Sequence, residues 1–255
     1  RLGAVATGYQ ADLLVLDDIE NMTIHDVYYN GQRIDQDSEI TVRECPAELK
    51  NTVHVGNFTV DDLTLESPDG SFYVIEMQEG EITTVRKRVQ LFDGPGVFRA
   101  DEDYQKIAVI ERHKATGKTG VGIVSGFGIR GGAIASSVSH DSHNIIVIGD
   151  NDQDMALAVQ ELIRTQGGYT IVADHKVWET LPLPVMGLMS DAGYAGFRYS
   201  HIKLKRMIEK AHEMGVPDGI APFITLSFMA LPVIPEIRIT PRGIYDVCTG
   251  EFYKY

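Results

Sequence analysis

The stretch NIIVIGDNDQDMALAVQELIRTQGGYTIVAD, Asn144 to Asp174, limits the available folds more than any other. NIIVIGD is an unbroken apolar run, as expected of a strand buried on both faces. In the segment after it, Met155, Ala158, Val159 and Leu162 fall on one face of a helix. Asn151 stands where a side chain caps that helix, and acids fill its first turn, next to the positive end of the helix dipole. Gly167-Gly168 end it, and YTIVAD is the next strand. A strand–helix–strand unit buries its helix against a sheet, so the predicted class is α/β (mixed α+β).

The flanking sequence is mostly β. VYYNGQRI puts Asn30-Gly31 between two extended runs, the strongest short hairpin signal. SFYVIEMQEGEITTVRKRVQL turns at Gly80 between two strand-like runs, and KIAVIERH is a further strand closed by Arg112-His113. GVGIVSGFGIRGGAIASS is so rich in glycine that tight turns or close backbone approach are expected. It contains G-x-G-x-x-G, but without the acidic residue and the helix that a dinucleotide site needs. A second helix is predicted over about Ser200 to Met214. The tail LSFMALPVIPEIRIT is expected to pack across the core instead of forming a regular strand. Glu44-Cys45-Pro46 marks a boundary, giving expected domains of residues 1–48 and 49–255.

Charge narrows the function. The net charge is −13 and the pI about 5.0, which disfavours nucleic acid as a partner because phosphate contacts need clustered cations. The short runs Arg86–Arg88 and Lys203–Arg206 read as solvated faces. No apolar stretch reaches the roughly 20 residues of a membrane span. Two cysteines, Cys45 and Cys248, are too few for a disulfide framework or a cysteine-rich zinc site, so a reducing, cytoplasmic setting is expected. The chain opens on RLGAVATGYQADLLVLDD with no initiator Met and reads as a fragment or a processed chain.

The sharpest polar feature is SHDSHN, Ser139 to Asn144. In an extended segment His140, Ser142 and Asn144 face one way, and Asp141 and His143 the other. That separates the histidines and argues against a self-contained metal site. Three roles stay open: metal ligation, contact with a substrate, or side chains that satisfy backbone groups at a strand entry. Arg112 and His113 end a strand and are candidates to line a cleft. Ser190-Asp191 reads either as a further polar pair of that cleft or as a helix cap. No G-x-S-x-G, H-x-H or H-E-x-x-H occurs.

These motifs together resemble a known family. GYQADLLVLDD followed by VYYNGQRI resembles the strands to which amidohydrolase-superfamily chains return after their TIM-like barrel, completing a small composite β domain. The blocks IERHKATGKTGVGIVSGFGIRGGAIASSVSHDSHNIIVIGDNDQDMALAV, LPLPVMGLMSD and PFITLSFMALPVIPEIRIT resemble the C-terminal domain of the bacterial adenine deaminases. The resemblance implies a hydrolase of purine salvage that deaminates adenine to hypoxanthine and ammonia. It implies a binuclear iron or manganese centre on an upstream barrel, so no metal ligand falls on this chain and the barrel itself is absent from it. It makes His140, Asp141 and His143 the expected catalytic residues, on a loop that completes or caps the barrel site. Ser142, Asn144, Arg112, His113, Ser190 and Asp191 are the expected substrate contacts. Apolar surface left without the barrel suggests a homo-oligomer. The alternatives are a non-catalytic binding or assembly module, and an amidohydrolase acting on another purine or a cyclic amide.

Overall fold

A computed structural model describes residues 1–34, 44–78 and 80–253. The chain forms two compact units, Arg1–Arg43 and Glu44–Tyr255. In the first, β1 (Leu13–Asp18), β2 (Thr23–Tyr29) and β3 (Gln32–Ile34) make an antiparallel meander. Tyr29 pairs with Gln32, so the loop between them is the two residues Asn30 and Gly31, with φ of +51° and +78°. Both lie in the left-handed region, which a type I′ hairpin turn requires. Leu14, Val15, Ile24 and Tyr29 of this small sheet are exposed.

The second unit follows a longer order. It begins with β4 (Glu66–Ser67), β5 (Ser71–Met77), β6 (Thr84–Gln90) and β7 (Gly96–Val97), then β8 (Tyr104–Ile110), β9 (Thr119–Ser125), β10 (Gly132–Ser136) and β11 (Ile145–Gly149). The helix α1 (Asp152–Arg164) leads to β12 (Gly168–Ala173) and β13 (Lys176–Pro182). The helices α2 (Gly193–Glu213) and α3 (Pro222–Phe228) precede β14 (Ile237–Thr240), β15 (Gly243–Asp246) and β16 (Glu251–Phe252). Eight strands form one sheet in the order β13-β12-β10-β11-β8-β9-β5-β6. Only the β5/β9 pair within it is parallel. The fold is mixed α+β, with no barrel among the described residues.

The predicted strand–helix–strand unit is present, with one addition. β11 and β12 each pair antiparallel with β10, so they run parallel to each other with β10 between them. The α1 helix makes that crossover. Its cap is Asn151, whose side chain accepts from the Asp154 amide at 2.8 Å. Ile145 and Val147 of β11 pack with Met155, Ala158, Val159 and Leu162 of α1. Ile146 and Ile148 join the opposite layer, with Met207 of α2, Leu226 of α3, and Ile239 and Ile244 of the β14–β15 hairpin. An antiparallel sheet covered on both sides thus yields the same unbroken apolar run that usually marks a parallel one.

The glycine-rich stretch has the close approaches expected of it. A Cβ on Gly120 of β9 would lie 1.9 Å from the Thr240 carbonyl oxygen, at the end of β14. Two expectations need correction. Helix α2 begins at Gly193 and not near Ser200, so the stretch GYAGFRYSHI before Lys203 is already helical. The tail is regular: PFITLSF is α3, started by Pro222 in its first turn, and IRIT is the strand β14. The prolines of the tail punctuate these elements and do not prevent them.

The last strand of the sheet, β6, is partly covered. The Thr84 amide donates to the Pro235 carbonyl at 3.1 Å, and the Glu236 amide to the Thr84 carbonyl at 2.9 Å. The Arg86 amide donates to the Glu236 carboxylate at 2.8 Å.

Candidate functional site

Register builds the site. Ile145 of β11 lies opposite Ile110 of β8, so the residues just past these ends, Glu111 to His113 and His143-Asn144, emerge side by side. SHDSHN is the tip of the β10–β11 hairpin. It is a turn and not an extended entry to the strand, and this overturns the separation of its histidines. The His143 amide donates to the Ser139 carbonyl at 2.7 Å, and His143 takes φ +50°. The His140 and His143 rings then lie 6.1 Å apart, tilted by 49°.

Arg112 holds this turn from beneath. Its side chain is 1 % exposed and donates to the carbonyls of His143, of Thr52 at 3.3 Å and of Met186 at 2.9 Å. Burial pushes its guanidinium down to about 10, which leaves it charged at neutral pH. The Arg112 amide donates to the Asn144 side chain at 3.3 Å, whose amide donates in turn to the Ser142 hydroxyl at 3.0 Å. His113 Nε2 is 2.7 Å from the Ser142 carbonyl. Asp141 is exposed and lies 3.1 Å from His140 Nδ1. Arg112, His113, Ser142, His143 and Asn144 therefore form one hydrogen-bonded cluster, and the His140–Asp141 pair meets it through the His140–His143 ring contact.

Ser190 and Asp191 do not join that cluster. The Ser190 hydroxyl accepts from the Ala192 amide at 3.1 Å just before α2, whose N-cap is Ala192. Asp191 pairs with Lys50 at 2.8 Å. Among the described residues no hydrogen bond or ion pair ties either one to the His140–Asn144 turn.

Two site residues escaped sequence reasoning. The Ser227 hydroxyl accepts from the His140 amide at 3.1 Å and donates to the Val138 carbonyl at 2.6 Å. The Phe228 ring stacks on His140, with centroids 5.2 Å apart and planes 8° from parallel. Both come from α3, almost ninety residues later, and no spacing rule links positions so far apart. The only signal was the LSFMALPVIPE block itself.

The electrostatics favour a neutral His143. Burial lowers its tendency to protonate, and the charge of Arg112 lowers it further. Its Nδ1 is buried with no partner among the described residues, as is the Ser139 hydroxyl. Such atoms are rare in folded proteins. A neutral imidazole beside a second histidine is suited to proton transfer. Metal binding suits the turn less well. Among the described residues no three His, Cys, Asp or Glu side chains converge on a point.

Glu111 stiffens the neighbouring turn. Its carboxylate accepts from the amides of His113 at 2.6 Å, Lys114 at 2.9 Å and Thr116 at 3.0 Å, and from the Thr116 hydroxyl at 2.8 Å. Burial alone would raise the carboxyl, but these four bonds outweigh it and hold the group at about 2. Its folded value lies below its unfolded one. Its contribution to stability is therefore complete above about pH 4.5 and is lost as pH falls toward 2. The urea midpoint of Glu111→Gln should fall below wild type at pH 7, and the gap should close between pH 5 and pH 2. A gap constant across that window would remove Glu111 from this role.

The family model for the adenine deaminase C-terminal domain matches residues 81–251, which include the whole cluster as well as Ser227 and Phe228. The chain belongs to the adenine deaminase C-terminal domain family. The adenine deaminase of Desulfitobacterium hafniense (strain Y51) is 50 % identical over 255 residues, covering 100 % of this chain and 44 % of its own length. That of Clostridium acetobutylicum is 40 % identical over 261 residues, covering 99 % of this chain and 45 % of its own. That of Nitratidesulfovibrio vulgaris (strain DP4) is 42 % identical over 255 residues, covering 98 % and 44 %. The chain thus spans less than half the length of these curated adenine deaminases. Among the described residues no helix is long and apolar enough to cross a membrane.

Proposed function

We propose that this chain is the C-terminal part of an enzyme that hydrolyses adenine to hypoxanthine and ammonia, and that the His140–Asn144 turn completes or caps the active site of an upstream barrel. The observation that supports this is the orphaned His143 Nδ1 in a turn fixed by a buried arginine. Fixing the turn places two imidazoles and the exposed Asp141 carboxylate at one hairpin tip. Neutral His143 is suited to accept a proton released by the attacking water or to return one to the departing amine. Barrel active sites open at the C-terminal loops, where an added domain can cover them.

A binuclear iron or manganese centre, when bound, would lower the pKa of the attacking water. Among the described residues no set of donors fits such a centre, so its ligands are assigned upstream and no step here runs through it. The exposed apolar residues of β1 and β2 accord with strands that complete a domain with upstream sequence. Both cysteines are free thiols, which accords with a cytoplasmic setting.

The test uses the protein that joins this chain to the upstream segment of its relatives. His140→Ala and His143→Ala should each lower turnover on adenine at least about tenfold, with bound metal unchanged. Near-wild-type turnover in both variants would overturn the proposal.

A further inference from the structure

Away from the hairpin tip, an open cavity of about 610 Å3 lies where the β14–β15 turn meets the start of β9. Lys118, Pro232, Pro241, Arg242, Tyr245 and Phe252 line it. The turn is fixed by Thr240, whose hydroxyl accepts from the Arg242 amide at 3.1 Å and donates to the Gly243 carbonyl at 3.2 Å. The Arg242 guanidinium lies 4.1 Å from the centroid of the Phe252 ring. Tyr245 packs against the same ring at 5.0 Å, tilted by 51°. Stacking sets the plane of the guanidinium and leaves its N–H edge free to meet an anion.

Several other cations of the fold have acidic partners. Arg86 pairs with Asp246, Arg88 with Asp69, and both Lys203 and Arg206 with Glu179. Among the described residues no acidic side chain pairs with Lys118 or Arg242. In a chain of net charge −13, two cations without an acidic partner among the described residues, beside one open cavity with Tyr245 and Phe252 in its lining, favour a negative group. The prolines and Tyr245 offer apolar and aromatic surface to a flat ring. The volume is in the range of sites that hold small molecules.

We propose that this cavity binds a planar aromatic anion, and that a nucleoside monophosphate occupies both halves of it: the phosphate on Lys118 and Arg242, the base against Tyr245. The inference does not depend on the deaminase reading, since its test needs no turnover.

Calorimetric titration of the chain at low salt uses adenosine 5′-monophosphate, adenosine and inorganic phosphate as separate probes. The monophosphate should bind at least about tenfold more tightly than either of the others, because only it meets cations and ring together. Arg242→Gln and Lys118→Gln should each weaken the monophosphate at least about fivefold while leaving adenosine unchanged. Arg242 and Lys118 are exposed, so both variants should keep the wild-type urea midpoint, measured alongside. No saturable binding of the monophosphate, phosphate binding equal to it, or binding that both variants leave unchanged would each overturn the proposal.

Discussion

Arg112→Ala should lower the stability of the second unit by about 3 kcal/mol, a fall in Tm of roughly 6–12 °C. The argument rests on what the side chain leaves behind. The carbonyls of His143, Thr52 and Met186 all accept hydrogen bonds from this one guanidinium. A carbonyl left buried without a donor costs about 1 kcal/mol or more. Relief of the buried charge offsets part of that loss, which holds the expected total at the lower end of the range. Arg112→Met separates the causes: it fills most of the volume but donates nothing, so it should be nearly as damaging as Ala. Arg112→Lys keeps the charge but not the planar fork that reaches three oxygens at once, and should recover less than half of the loss. Urea unfolding at pH 7 measures all three. An Ala variant with the wild-type midpoint would show that water replaces the guanidinium at no cost.

Gly120→Ala should cost about 2–3 kcal/mol through overpacking, a change of one methyl group. The new Cβ would sit 1.9 Å from the Thr240 oxygen and 2.5 Å from the Gly243 nitrogen, and both are backbone atoms. A flexible side chain could swing away from such a contact; a hairpin must move as a body. The β14–β15 hairpin covers one face of the sheet with Ile239 and Ile244, so its displacement uncovers part of the core. Amide hydrogen exchange should show the loss first in β14 and β15 and only later in β8 and β11. Unchanged protection in that hairpin would mean that β9 yields instead.

The parts of the fold that were legible in the sequence are those decided within a few residues. The Asn30-Gly31 turn follows from two residues that tolerate positive φ. The helical face of Met155, Ala158, Val159 and Leu162 follows from its period, and its cap from Asn151. The strand order was not legible, because an apolar run states that a strand is covered and not by what. The site was legible as a set of residues but not as a geometry. His140 and His143 were separated by a strand-like reading, since nothing inside SHDSHN announces a turn. The turn is imposed from outside, by Arg112 on the neighbouring strand end and by Ser227 and Phe228 on a helix far along the chain. Likewise the unpaired state of Lys118 and Arg242 exists only relative to every acid in the fold.

The outer margin of β6 has a bearing on how the molecule behaves when crowded. A terminal strand offers its free amides and carbonyls to any other chain that passes, and such margins are where soluble proteins begin to precipitate or fibrillise. Here the Thr84 and Arg86 amides are already taken by Pro235 and by the Glu236 carboxylate, and Arg86, Lys87 and Arg88 follow one another along the strand. The opposite margin, β13, has Arg206 and Lys210 of α2 set over the ring of Trp178. A second molecule adding a strand at β6 would have to strip away a hydrogen-bonded segment and displace charged side chains already held in ion pairs. The sheet is thereby closed to its own kind at that margin, although it never closes on itself.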